Sequence, residues 1–321
     1  MVIGIAVSAV CAWATLSRVD LSTVIQVLGR VALPGVALAV GLASLEIAAR
    51  AWRWRFLLSP LGKVQYREAF AYTCVGCFAN TLLPMRLGDV ARAYLAASAL
   101  RLPRMATLGS IVTERLADGV TILVVAAGLG LLVTGALGTG LAALWVGLGL
   151  AALLVGGGLS LLTARHPELV APLIPARLRE PLSRLILGAD AVRSPRGLFT
   201  TVAATLVAYV CSVSVFMAVA TSVGLSIPWP QAAFVTAWIA LSTAIPAAPG
   251  SVGTYEFVGV SALVLVHQDP ARALAAVVLI HAIGTLPVAL VGLIMTLVLH
   301  LRVWRLGESA KPEPEPAVQA A

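Results

Sequence analysis

Five stretches of this chain, residues 3–16, 31–49, 120–133, 141–162 and 273–299, are essentially apolar on every face of the helix each would form. A solvated helix shows an apolar stripe opposite a polar one, and these do not. Crossing a hydrocarbon core about 30 Å thick takes roughly 20 helical residues, a length these runs reach or approach with their flanks. With 60% hydrophobic and 11% charged residues in 321, the chain reads as an all-α polytopic integral membrane protein.

The net charge of +8 does not point to nucleic acid, because the basic residues cluster in short segments between apolar runs. That is the distribution of cytoplasmic loops under the positive-inside rule. Arg50, Arg53, Arg55, Lys63 and Arg67 form one cluster, Arg101 and Arg104 a second, residues 165–196 a third, and Arg302 with Arg305 a fourth. Placing all four inside predicts six spanning helices at about 2–17, 31–56, 105–134, 141–162, 198–224 and 272–300, with both termini cytoplasmic and residues 18–30 outside. The N-terminus lacks a basic n-region, so residues 2–17 are read as a retained helix rather than a signal peptide, with its true start left open.

Two intervals remain, residues 68–100 and 230–267, each too short for two comfortable crossings and each broken by proline and glycine. They are expected to form broken re-entrant helical hairpins; the alternative is ten full or near-full membrane segments. With hairpins, each half holds three crossings, and half-repeats at about 1–135 and 141–305 run in opposite orientations, as in many transporters. Residues 1–305 are then one transmembrane domain and 306–321, rich in Glu and Pro, a disordered cytoplasmic tail. In the long basic loop, Leu182, Leu185, Ile186 and Ala189 recur at helical spacing beside Arg184, suggesting a short helix on the membrane surface or simply a topology signal.

The breaks resemble each other. Pro84 to Gly88 and Pro249 to Gly253 both read P-x-x-x-G, the first followed by Asp89 and Arg92, the second by Glu256. The break residues are Pro84, Gly88, Pro246, Pro249, Gly250 and Gly253. An ionisable group at the centre of a membrane helix costs about 2.5–3.5 kcal/mol on insertion scales, so those that are present are candidates for function. Asn80, Arg86, Asp89 and Arg92 surround the first break, where the arginines offer planar forks for phosphate. Glu114, Arg115 and Asp118 open a later helix; the two acids share a face and repel, so a cation or an arginine such as Arg86 or Arg92 must lie between them. A buried ion-pair network that only pins the hairpin is the alternative. Thr254, Tyr255 and Glu256 follow the second break, with His281 a possible neighbour acting in packing or as a proton carrier.

Glu46 and Arg50 are spaced for an intrahelical pair. Trp52, Arg53, Trp54 and Arg55 read as an interfacial belt, rings at headgroup depth and guanidinium groups reaching the cytoplasm. Cys74 and Cys77 make a C-x-x-C spacing without a second metal-binding half, and the other cysteines, Cys11 and Cys211, lie in apolar runs. No nucleotide loop, H-E-x-x-H or G-x-S-x-G motif occurs, so neither enzyme activity, cofactor nor metal is expected.

Arg50-Ala51-Trp52-Arg53-Trp54, Asn80-Thr81-Leu82-Leu83-Pro84 continuing through Arg86-Leu87-Gly88-Asp89 to Arg92, Glu114-Arg115 with Asp118, and residues 246–253 with Glu256 occur in this order. Together they resemble the lysylphosphatidylglycerol synthase transmembrane, or flippase-like, family, which includes the N-terminal membrane part of multiple peptide resistance factors. Asp89 stands where many relatives carry glutamate. The resemblance implies translocation of an anionic, aminoacylated or polyprenyl-linked lipid between leaflets of the bacterial plasma membrane. Relatives that make the lipid carry a soluble transferase domain after the membrane part, and synthase activity is not expected here. Two other classes stay open: a non-transporting membrane subunit of a lipid-modifying enzyme or glycosyltransferase, and an ion-coupled small-solute transporter. Oligomeric state is not legible.

Overall fold

The computed structural model describes residues 2–17, 19–83, 86–134, 176–242 and 247–299. The expected helix at 141–162, the tail from 306, and the break residues Pro84 and Pro246 lie outside these. Among the described residues the chain is entirely helical: α1 (Val2–Leu16), α2 (Leu21–Leu28), α3 (Leu33–Leu58), α4 (Tyr66–Leu82), α5 (Leu87–Leu100), α6 (Arg104–Thr134), α7 (Ala176–Ile186), α8 (Pro195–Ser222), α9 (Trp229–Ser242), α10 (Thr254–Leu265) and α11 (Pro270–Val298). Short 3₁₀ turns at Leu187–Val192 and Pro249–Ser251 join α7 to α8 and precede α10.

Helices α3, α8 and α11, at 26, 28 and 29 residues, are long and apolar enough to cross a membrane. Their starts follow local chemistry. Pro195 and Pro270 occupy first-turn positions, where no N–H is required, while Ser194 and Asp269 accept from the backbone N–H of Gly197 and Arg272. Helices α4, α5, α9 and α10 have 17, 14, 14 and 12 residues, each fewer than a crossing takes. They occupy the two intervals expected to be broken, α4 packing on α5 and α9 on α10.

One expectation is corrected, at Gly88, and two segments gain detail. Residues 18–30 include a helix: Asp20 accepts from the N–H and hydroxyl of Ser22 and from the hydroxyl of Thr23, starting α2, and α1 and α2 meet at 87°. Gly88 is not at a break. It sits buried in the first turn of α5, where a Cβ would run into the backbone of α4 at Gly76 and Asn80, so glycine serves close helix packing there. The turn itself falls at Arg86, whose φ of 55° and ψ of 31° are left-handed. Finally, a short helix does form in the basic loop: α7 and its 3₁₀ extension pack against α6, with Gly188 buried against Ala106 and Ser110.

At the second break Gly250 and Gly253 do take positive φ, 69° and 88°, which Cβ-bearing residues adopt only with strain. The carboxylate of Glu256 reaches back to accept the Gly253 N–H at 2.7 Å, capping α10. The Ser8 hydroxyl on α1 accepts from the Ala248 N–H at 2.9 Å, tying the break to the first helix.

The main apolar core lies among α8, α9, α10 and α11, around Phe216, Val219, Val235, Leu263 and Val277. A second gathers Trp54, Leu58, Ala69, Ala93 and Ala96 from α3, α4 and α5. Alanine is frequent in both, and small side chains let helix backbones approach closely. The outward faces stay apolar, with Trp13, Leu33, Phe199 and Leu286 exposed. Such a surface suits hydrocarbon rather than water.

Several packing relations occur twice. Helix α4 packs on α11 and α9 on α6; α5 packs on α6 and α10 on α11; α3 packs on α4 and α8 on α9; and α3 packs on α8.

Candidate functional site

Three consecutive positions on one face of α3, Glu46, Arg50 and Arg53, lie at spacings of four and three. Glu46 pairs with Arg50, and the two arginines reach Glu114 and Asp118 on α6. Arg53 contacts both acids, Nη2 lying 3.1 Å from Glu114 and Nη1 2.5 Å from Asp118, and donates from Nη1 to the Thr205 hydroxyl of α8 at 2.7 Å. Arg50 pairs with Glu46 at 2.8 Å and with Asp118 at 3.3 Å. Arg115 spans Glu114 at 2.6 Å and Asp118 at 3.3 Å. The repulsion between the two acids is thus offset by Arg53 and Arg115, each touching both, rather than by Arg86.

Helix α5 adds Arg92, which donates to Glu114 at 3.0 Å and lies flat over the Trp54 ring with Cζ 4.4 Å from its centroid. The Trp54 indole N–H donates to Ser110 at 3.1 Å. Glu114 therefore meets three guanidinium groups and is 1% exposed, while Arg53 is wholly buried. Charge this deep is tolerated because nearly every group has an opposite partner.

The interfacial belt is accordingly corrected at two positions. Trp52 is exposed and stacks on Phe56, and Arg55 donates to the Val64 carbonyl. Arg53 and Trp54 instead point into the protein. Reading Glu46, Arg50 and Arg53 as one helical face would have found this; the W-R-W-R alternation masked it.

The network thins toward the first break. Asp89 takes the Asn80 amide at 3.3 Å, Arg115 at 3.6 Å and Arg86 at 3.4 Å. Arg86 is 40% exposed, the most open arginine of the network, ahead of Arg115 at 32% and Arg50 at 27%. Among the described residues, the Nε–H groups of Arg86, Arg92 and Arg115 have no hydrogen-bond acceptor. A cavity of about 570 Å³ runs beside the network and reaches Tyr255 and His281; a second, of about 300 Å³, shares Asn80, Arg86, Tyr255 and His281 with it.

The second break closes the far wall. His281 of α11 places Nδ1 2.6 Å from Glu256 and Nε2 2.9 Å from the Gly250 carbonyl, and Tyr255 stacks on the imidazole with centroids 4.1 Å apart. The candidate residues thus form two constellations, Asn80, Arg86, Asp89, Arg92, Glu114, Arg115 and Asp118 in one and Glu256 with His281 in the other, on one continuous hollow. Glu46, Arg50, Arg53 and Thr205 belong to the first as well.

Residues 1–292 match the family described as lysylphosphatidylglycerol synthase TM region. The chain belongs to that family. A curated relative, glycosyltransferase AglD of Haloferax volcanii, is 27% identical over 307 residues, covering 83% of this chain and 49% of the relative. The chain thus spans about half the length of that relative. Membership in a transmembrane-region family agrees with the apolar outer faces, and the protein is a membrane protein. The motifs that carried the resemblance all lie within the matched residues.

Proposed function

We propose that this protein translocates a lipid between leaflets, acting as a flippase or scramblase for an anionic, aminoacylated or polyprenyl-linked lipid. The observation that carries this reading is the charge balance along the hollow. Arg50, Arg53, Arg86, Arg92 and Arg115 face Glu46, Asp89, Glu114 and Asp118, one positive charge in excess. The excess lies toward Arg86, whose side chain is the most open and whose pairing, to Asp89, is 3.4 Å long. A phosphate monoanion would balance it, bound by the fork of Arg86 and the unused Nε–H groups. Acyl chains would stay in bilayer against the apolar faces. On this reading the chain is not itself an enzyme, works in the bacterial plasma membrane, and has both termini in the cytoplasm with the basic segments.

The repeated packing relations support an inverted repeat. If a pseudo-two-fold axis exchanges the halves, α3 pairs with α8 across it, and each hairpin's first arm packs on the last helix of the other half, as observed. The hairpins would enter from opposite sides. Single cysteines at Leu82 and Val252, both exposed beside the breaks, should react with impermeant maleimide from the cytoplasmic and outer sides respectively in a background lacking the native cysteines. Full labelling from the opposite sides would remove the hairpins and leave ten crossings.

Proteoliposomes carrying fluorescent phosphatidylglycerol, lysyl-phosphatidylglycerol or a polyprenyl phosphate test translocation directly. At least one probe should exchange leaflets faster than in protein-free vesicles, and a panel with no exchange would reject the reading. The second reading is a membrane subunit serving a lipid-modifying enzyme or glycosyltransferase partner, favoured by the glycosyltransferase name of a relative twice as long. Co-purification of a stoichiometric enzyme with an inert panel would select it.

A further inference from the structure

The contact between His281 and Glu256 contains a proton that its geometry counts. Nε2 lies 2.9 Å from the Gly250 carbonyl oxygen, which only accepts, so Nε2 carries an N–H. Nδ1 lies 2.6 Å from Oε1 of Glu256, while Oε2 accepts the Gly253 N–H at 2.7 Å. A bare Nδ1 lone pair facing a carboxylate oxygen at that distance is repulsive. One further proton must lie between them, whether written as imidazolium and carboxylate or as imidazole and carboxylic acid. The pair is neutral in both forms and carries −1 once that proton leaves.

We infer that the His281–Glu256 pair is a proton-binding site and that its proton travels with the lipid headgroup, making translocation a proton–lipid symport; this rests on the lipid-translocator reading above. The coupling is electrostatic. Arg86 and His281 line the same cavity of about 300 Å³, so an anion held by Arg86 faces the pair across a short, poorly screened gap. A deprotonated pair repels that anion and competes for the same arginine. A protonated pair does neither. Each ligand therefore raises the affinity for the other by the same factor, as linkage requires.

The other titratable groups on the elements packed against α11 that line this hollow are Cys77 of α4, Glu46 and Arg50 of α3, Tyr209 of α8 and Tyr255 of α10; α2 contributes none. Arg50 is already paired with Glu46 and Asp118. Glu256 is the acid in hydrogen-bond contact with the imidazole, which singles out this pair as the proton site. The proton enters from water on one side, occupies the space between Nδ1 and Oε1, and leaves to water on the other. Its departure removes the hydrogen bond between Nδ1 and Oε1, while Nε2–H keeps its contact to the Gly250 carbonyl.

A lipid monoanion moving with one proton carries no net charge. In proteoliposomes with fluorescent phosphatidylglycerol, lysyl-phosphatidylglycerol or polyprenyl phosphate, a pH difference should concentrate a monoanionic probe about tenfold per pH unit in the leaflet facing the alkaline side. A potassium–valinomycin potential should not shift it, and nigericin should erase the effect. Exchange that is fast but evenly distributed at every pH difference would overturn the coupling and leave the translocator reading intact. No exchange of any probe would remove both. H281Q that still concentrates the probe like the parent would overturn the assignment to His281. Should H281Q not fold, ¹⁵N-histidine spectra of the parent decide, with the signal assigned by replacing the chain's other three histidines. A proton on or shared with both ring nitrogens at neutral pH supports the site, and a free Nδ1 lone pair overturns it.

Discussion

Glu114→Gln is expected to destabilise the protein by about 3–5 kcal/mol, the cost of stripping one partner from a buried ion pair while its opposite charges stay buried. Glu114 is 1% exposed and is shared by Arg53, Arg92 and Arg115. The amide keeps its size and offers one oxygen in place of a carboxylate, so three guanidinium groups face Asp118 and each other. Arg53 and Arg92 cannot reach water by a rotamer change, because they are as buried as the acid; only Arg115 is partly exposed. The measurement is unfolding in mixed micelles, compared with Arg184→Gln, whose partner Glu180 lies on an exposed face of α7. That control should change by less than about 1 kcal/mol. A Glu114→Gln protein as stable as the control would mean that water or lipid headgroups solvate this network.

Arg86→Gly is expected to cut lipid exchange by about 10–100-fold, the value of one charge-assisted hydrogen bond to a phosphate at 1.5–3 kcal/mol. Its stability should hold or rise slightly. Arg86 is 40% exposed, its contact to Asp89 is 3.4 Å long, and its left-handed φ of 55° suits glycine better than arginine. A side chain kept at a backbone position that disfavours it, with little to hold it in the protein, is better explained by ligand than by packing. Arg86→Lys should retain part of the rate, since charge remains while the planar fork is lost. Full exchange in Arg86→Gly would move the headgroup site away from the first break.

These two variants separate what the notion of a buried charge network conflates. Deep in the hollow, Arg53, Arg92 and Glu114 meet at 3.0–3.1 Å with almost no exposure, and with Thr205 they hold α3, α5, α6 and α8 together. At the break the same network opens, and its outermost arginine is free to act. On the translocator reading, the structural alternative weighed for Glu114 and Asp118 belongs to the interior end, and ligand binding to the exposed end.

Much of the helix layout was legible locally. The long apolar runs placed α3, α6, α8 and α11 within two or three residues, because helix length and apolarity are properties of a continuous segment. The breaks were legible for a similar reason: Pro249, Gly250 and Gly253 restrict or free the backbone where they stand. So was the pairing of Glu46 with Arg50, four residues apart on one helix. Even the neighbourhood of Glu256 and His281 was a fair expectation, since few other polar groups were available in that half.

Tertiary structure alone decided which distant charges meet. Arg53 lies 61 positions from Glu114 and 152 from Thr205, and nothing in its own segment distinguishes a guanidinium that reaches headgroups from one turned inward. The difference is the rotation of α3 about its axis, set by small-residue packing against α4 and α8. Gly88 likewise read as a helix break until the close approach of α4 gave it a packing role, and the helix within residues 18–30 was decided by the Asp20 cap on α2. The sequence by itself determined a helical membrane protein of a recognisable family, with charges at two breaks, because those are local facts of composition and backbone. The joining of those breaks into one hollow, with arginines at one wall and the Glu256–His281 contact at the other, depended on packing between helices far apart in the chain.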